Sequence, residues 1–87
     1  MTISFARILA PEVRVNAVAP GWMEGRWMKA ALGDQYDRLM TRRAERTPLG
    51  RVATPEDVAQ TILSLIESND FVTGQVLVID GGYSLVG

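Results

Sequence analysis

The chain contains no cysteine and no histidine. Without cysteine it has no disulfide, no thiolate metal ligand and no cysteine nucleophile, and without histidine it has no imidazole base or imidazole ligand. We therefore expect no metal site and no catalytic centre of these kinds. The absence of cysteine also leaves the redox compartment undetermined.

Net charge and long apolar runs are lacking as well. Nine basic and ten acidic residues give a net charge of −1, too little to hold a nucleic-acid backbone although the arginines between Arg38 and Arg51 lie close together. No stretch approaches the ~18 apolar residues of a membrane span. We expect a cytoplasmic protein that binds neither nucleic acid nor membranes.

The length of 87 residues allows one small domain. A domain of this size buries only about 60–65% of the surface that its unfolded chain exposes, so an open strand edge or apolar face is costly. We therefore expect the chain to depend on a partner for stability.

Hydrophobic spacing and turn residues predict three helices and two strands. The first helix covers residues 2–10 and stops at Pro11; a weaker one covers 34–46; the third begins at a Thr54 cap and ends near Ser68. The predicted strands are residues 13–18, ended by a Pro-Gly turn, and 75–79. The continuous apolar run of the second strand favours burial on both faces.

A strand, a helix and a second strand in this order are typical of a right-handed parallel crossover. Ligands of open α/β sheets bind beyond the carboxyl ends of the strands, which here are residues 18–21 and 80–82. Gly21 is therefore either part of an ordinary turn or a close backbone approach to a ligand. Asp80 is expected to accept backbone hydrogen bonds in its turn, and Asn16 to bond structurally within its strand.

Five short motifs follow one another along nearly the whole chain. They are residues 14–21 (RVNAVAPG), 47–51 (TPLGR), 55–59 (PEDVA), 72–75 (VTGQ) and 80–82 (DGG). In this order they resemble the C-terminal part of a short-chain dehydrogenase/reductase. The resemblance implies an α/β fold over residues 1–87: a partial Rossmann-like fold with the last two parallel strands of a doubly wound sheet and their flanking helices.

The resemblance also implies NAD or NADP as cofactor. Pro20, Gly21 and Met23 match positions whose backbone meets the nicotinamide end. The family usually has a threonine where this chain has Gly25, so a hydroxyl that bonds the cofactor is missing. The family's Gly-rich loop and its Ser and Tyr-x-x-x-Lys residues are absent, and we expect no catalytic residue in this chain.

Residues 22–50 match the substrate-binding loop of the family. Trp22, Trp27 and Met28, together with Met40, would line an apolar substrate pocket, or they are ordinary packing residues. Glu24, with two aspartates downstream, is expected to lie on a solvated face.

Two functional hypotheses follow. In the first, the chain is the C-terminal segment of an NAD(P)-dependent oxidoreductase that acts on an alcohol or ketone, and is inactive by itself. In the second, it is a non-catalytic oligomerisation or interaction module derived from that family. Both predict a homo-oligomer or a complex with the missing N-terminal part, and the full enzyme would take a small-molecule substrate.

Overall fold

A computed structural model describes residues 1–86 of the chain. Its helices and strands are, in order, α1 (Thr2–Leu9), β1 (Ala17–Pro20), α2 (Arg26–Leu32), α3 (Tyr36–Arg46), α4 (Pro55–Glu67) and β2 (Val76–Ile79). A 3₁₀ turn at Gly33–Gln35 precedes α3, and another at Tyr83–Leu85 follows β2. None of the described helices is long and apolar enough to cross a bilayer.

The two strands pair in parallel, with Ala17 opposite Val76 and Pro20 opposite Ile79. Helix α4 lies between them in sequence and forms the crossover. This arrangement confirms the predicted fold class, an α/β unit with two adjacent parallel strands and flanking helices. The predicted helix over 34–46 is a 3₁₀ turn followed by α3, and α2 is a separate helix that residue spacing did not indicate.

Strand β1 begins four residues later than predicted and continues through Pro20, so the predicted strand over 13–18 is wrong in its bounds. The residues before Ala17 bond through side chains as well as backbone, and the carbonyl of Val15 accepts the N–H of Gly74 at 2.8 Å. The Val15 N–H donates to Thr73 Oγ1 at 3.0 Å. Asn16 Nδ2 donates to the carbonyl of Val72 at 2.9 Å, and its Oδ1 accepts the N–H of Gln75 at 3.0 Å.

Helix α4 begins where the sequence predicts. Thr54 Oγ1 accepts the backbone N–H of Asp57 at 3.1 Å, and Asp57 Oδ2 accepts the backbone N–H of Thr54 at 2.8 Å, which completes a capping box. Arg51 adds two hydrogen bonds to the same carboxylate, at 2.6 and 3.0 Å. The start of α4 is therefore fixed by interactions within seven residues of chain.

Only one face of the sheet is covered by the described residues. Leu77 and Ile79 face α4, where they line a cavity of about 430 Å³ together with Leu65. On the opposite face Val76 and Val78 are 54% and 59% exposed. The expectation that residues 75–79 are buried on both faces is wrong for this part of the chain, because no described helix lies over the second face.

The core is small. Among the described residues only Ala6, Met40 and Thr47 are buried. The radius of gyration is 15.5 Å, compared with about 12 Å for a compact domain of this length. The elements are therefore held together mainly by local hydrogen bonds and by the strand pair.

Replacing Thr54 with Ala removes the side-chain acceptor of the capping box. We expect the free energy of unfolding to fall by about 0.5–2 kcal/mol, measured as a lower urea midpoint at an unchanged slope. Thr41→Ala, at an exposed position inside α3, is the control and should not lower the midpoint, because alanine is the better helix former. Equal midpoints for Thr54→Ala and the parent chain would contradict this role.

Asp57 makes stability depend on pH. The hydrogen bonds from Arg51 have the largest effect on Asp57, followed by the one from the Thr54 backbone, and together they hold its pKa far below the usual value. A carboxylate whose folded pKa is lowered stabilises the fold above its unfolded pKa and loses that contribution as pH falls through the folded value. We expect the urea midpoint to decrease below about pH 4, and Asp57→Asn to reduce this decrease. An equal decrease in Asp57→Asn would assign the pH dependence to other carboxylates.

Candidate functional site

The two strands end side by side, and their backbones nearly touch. The N–H of Gly21 donates to the carbonyl of Ile79 at 3.0 Å, so the pairing continues one residue past β1. A Cβ at Gly21 would lie 2.9 Å from the Cβ of Asp80, closer than such atoms approach. Position 21 therefore requires glycine because the following turn of β2 occupies the space of a side chain.

Asp80 stabilises the turn after β2. Its Oδ1 accepts the N–H of Gly82 and its Oδ2 accepts the N–H of Ser84, each at 2.9 Å. Both bonds lower the pKa of the Asp80 carboxyl, and the bond from Ser84 has the larger effect. Asp80 thus has the structural role that the sequence indicates.

The turn is packed against the segment that follows α3. Gly81 has a φ of +62°, and a Cβ there would lie 2.7 Å from Cγ2 of Thr47. The N–H of Leu49 donates to the carbonyl of Gly81 at 3.1 Å. The TPLG and DGG motifs, more than thirty residues apart in sequence, are therefore one packed unit, which attaches one end of the 22–50 segment to the strand ends.

Met23 lies at the other end of that segment. It forms an isolated parallel bridge with Ala53, whose N–H donates to the carbonyl of Trp22 at 3.1 Å and whose carbonyl accepts the N–H of Glu24 at 2.9 Å. Pro20, Gly21 and Met23 therefore follow one another along a backbone that is fixed on both sides. Their predicted contact with the nicotinamide end of a cofactor remains a prediction.

A cavity of about 220 Å³ opens beside Gly21. Trp22 lines it, whereas Trp27 and Met28 are not among its lining residues. Trp27 is 80% exposed on α2, so the structure does not bring the three predicted substrate-binding residues together around this cavity. Met40 is 8% exposed and belongs to the core. The cavity is lined by Gly21, Trp22, Arg43, Thr47, Val52, Ala53, Asp80 and Tyr83.

Arg43 is a residue at this cavity that residue-type reasoning missed. Its guanidinium carbon lies over the ring of Trp22, 4.2 Å from the centroid, and over the ring of Tyr83, at 4.8 Å. In sequence, Arg43 is one of several neighbouring arginines, and its residue type gives no sign of burial. Its position three residues after Met40 does indicate burial, because both residues fall on the inward face of α3.

Tyr36 places a hydroxyl beside Gly25. Its Oη accepts the N–H of Gly25 at 3.1 Å. Glu24, Asp34 and Asp37 are all exposed, as expected of solvated acids. The described residues contain no group of His, Cys, Asp or Glu side chains that would hold a metal ion.

Comparison with known proteins agrees with this geometry. A family model described as enoyl-(acyl carrier protein) reductase matches residues 1–84. Carbonyl reductase family member 4 of Xenopus tropicalis is 44% identical over 88 residues, covering 95% of this chain and 34% of that protein. The 3-oxoacyl-[acyl-carrier-protein] reductase FabG of Thermotoga maritima is 43% identical over 84 residues, covering 94% of this chain and 32% of that protein.

Among solved structures, a small-chain dehydrogenase in complex with NADPH superposes with a TM-score of 0.82 at 36% identity, over 97% of this chain and 37% of that one. The chain thus spans about a third of the length of these relatives. The family match covers the paired strands, the Pro-Gly and DGG turns at their ends and the TPLG segment packed on them, and the chain belongs to the short-chain dehydrogenase/reductase family.

Proposed function

We propose that these residues form the nicotinamide-side and substrate-facing part of an NAD(P)-dependent oxidoreductase that acts on an alcohol or ketone. The observation that carries the proposal is the close approach of Gly21 to Asp80 at the carboxyl ends of two parallel strands. In open α/β sheets this is where ligands bind.

Cofactor contacts are proposed for Pro20, Gly21 and Met23. The similarity to a dehydrogenase bound to NADPH supports NAD or NADP as the cofactor class. Such a nicotinamide ring would accept or deliver a hydride when bound. These three residues would orient it through backbone groups, because the 20–23 backbone is fixed by Ile79 on one side and Ala53 on the other.

The Tyr36 hydroxyl is proposed as a substitute for the missing hydroxyl at position 25. The oxygen already accepts a hydrogen bond from the Gly25 N–H. A phenol both accepts and donates, so its own O–H is available to a polar group of the cofactor. This proposal gives half-buried Tyr36 a positioning role and no part in proton transfer.

Residues 22–50 are proposed to form the substrate loop of a single Rossmann-type domain that includes residues 1–87. Trp22 lines the cavity beside Gly21, while Trp27 and Met28 belong to α2, farther along the same loop. In this proposal the exposed Trp27 ring faces an apolar part of the substrate, since it lacks a covering in the described residues.

These 87 residues are proposed to have no catalytic activity by themselves. Hydride transfer from an alcohol requires a group that accepts the hydroxyl proton near neutral pH. The only lysine is Lys29, and neither tyrosine has a lysine four residues later. No Gly-rich turn is present to hold a pyrophosphate at a helix N-terminus.

A second candidate function is an interaction module. The exposed apolar side chains of α4, Leu63 at 52% and Ile66 at 65%, and the open face of β2 favour it. Either a second copy of the chain or the remaining part of a dehydrogenase domain would cover such surfaces. This candidate and the first differ in whether the residues at the strand ends affect cofactor use.

A chimeric enzyme tests the proposed function. Residues 1–87 would replace the aligned C-terminal third of the Thermotoga maritima reductase. We expect the chimera to bind NADPH, measured by nucleotide fluorescence, and to reduce ketones, measured by loss of absorbance. Gly21→Val should lower kcat/KM by about tenfold or more, because its side chain would clash with Asp80 and displace the strand ends from the geometry that catalysis requires.

The same chimera carries two further variants. Tyr36→Phe should weaken NADPH binding without changing the pH profile, since its role is positioning. Asp70→Asn, at an exposed position between α4 and β2, is the control and should retain parental kinetics. A folded chimera that binds no NADPH, or one insensitive to Gly21→Val, would favour the interaction module.

The 87-residue chain alone should form an assembly larger than 9.5 kDa, because the sheet edge of β1 and the apolar faces of α4 and β2 are open. Light scattering measures the mass, and calorimetry with NAD and NADP should show no saturable binding below about 100 μM. A folded, monodisperse monomer would contradict the first expectation. Tight cofactor binding would contradict the second.

A further inference from the structure

Arg43 occupies a position where an apolar side chain would pack at lower cost. Helix α3 turns Tyr36, Leu39, Met40 and Thr47 inward, and Met40 and Thr47 are 8% and 6% exposed. Arg43 belongs to this stripe and is half-buried, whereas Arg42 is exposed. A leucine or methionine there would avoid the desolvation of a charge. Apolar packing alone therefore does not explain the charge on the inward face.

No acidic side chain among the described residues forms an ion pair with Arg43. Among residues 1–86 the ion pair present is Arg51 with Asp57, and the Arg43 side chain donates no hydrogen bond to any described group. Its contacts are instead with the rings of Trp22 and Tyr83, at 4.2 and 4.8 Å. Ring contacts use the flat faces of a guanidinium and leave its N–H donors free.

The free donors lie beside a cavity. Arg43, Trp22 and Tyr83 line the same space of about 220 Å³, next to Gly21 at the strand ends. Asp80 also lines it, but both of its carboxylate oxygens already accept backbone N–H groups, from Gly82 and Ser84. These two hydrogen bonds stabilise the Asp80 carboxylate, which stays ionised at the edge of the cavity, and Arg43 is the cationic side chain that lines the same space.

We propose that Arg43 binds a carboxylate of the substrate in this cavity, so that the site selects small carboxylate-bearing alcohols or ketones. A guanidinium stacked on rings presents its donors in one plane, which matches the two coplanar oxygens of a carboxylate. The rings restrict the side chain before binding, which reduces the entropy lost when the ligand arrives. This inference rests on the proposed function, since it identifies the substrate class of that site.

The direct test uses the purified 87-residue chain without cofactor. The indole N–H resonance of Trp22, assigned by comparison with Trp27→Phe, is followed by NMR during titration with butyrate and with butyramide, its uncharged analogue of similar shape. We expect a saturable shift with butyrate and none with butyramide. Inorganic phosphate is the third probe and should bind more weakly than butyrate.

Substitutions at Arg43 decide whether this residue is responsible. Arg43→Met fills a similar volume without charge and should weaken butyrate binding by at least about tenfold. Arg43→Lys keeps the charge and loses the planar donors, so its affinity for butyrate should be intermediate. If Arg43→Met fails to fold, the Arg43→Lys variant tests the role of Arg43. Arg42→Met, an adjacent exposed arginine on the same helix, is the matched control and should bind butyrate like the parent chain.

Equal shifts with butyrate and butyramide, or butyrate binding that survives in both Arg43 variants, would overturn the proposal. Tighter binding of phosphate than of butyrate would also overturn it, because it would assign the site to a phosphate group of a cofactor. The binding arm is independent of hydride transfer. If butyrate binding depends on Arg43 but the chimera is inactive, the proposed function is rejected and this inference is not. If the chimera is active but its preference among ketones is unchanged by Arg43 substitutions, this inference is rejected and the proposed function is not.

Discussion

The close approach of backbone to backbone at the end of the sheet is the constraint on which the rest of the structure depends. Gly21 leaves room for the Cβ of Asp80, and Gly81 leaves room for Cγ2 of Thr47, so three segments distant in sequence pack closely at the end of the sheet. Larger residues at these positions would separate the strand ends from the segment after α3. The cavity beside Gly21, and the position of Arg43 on it, exist because these contacts hold their walls in place.

Local interactions were predictable from the sequence, and long-range ones were not. The start of α4 follows from Thr54 and Asp57, which lie three residues apart and bond each other. The late start of β1 depends on Asn16 and its partners 56 and 59 residues away, and no local pattern identifies those partners. The strand ends were predicted as a site from topology. The ring contacts of Arg43 required the fold to bring Trp22 and Tyr83 together.

The proposed function separates positioning from chemistry. The residues at the strand ends offer backbone groups, aromatic faces and one guanidinium, which are groups suited to binding and orienting a ligand. None of them is an imidazole, and neither tyrosine is followed four residues later by a lysine. In the proposed function, the residues of this chain therefore supply geometry only. The exposed apolar faces of α4 and β2 agree with this division, since a surface of that kind is completed by contact with more protein.

The attachment of the segment between Met23 and Leu49 has a consequence for how this site diversifies. At one end Ala53 pairs with the backbone of Trp22 and Glu24, and at the other the N–H of Leu49 bonds the carbonyl of Gly81. Main-chain hydrogen bonds of this kind do not depend on which side chains lie between the two anchors. Exposed positions of α2 and α3 can therefore change while the anchors stay in register and Met40 stays in the core, so one sheet end accommodates different binding surfaces.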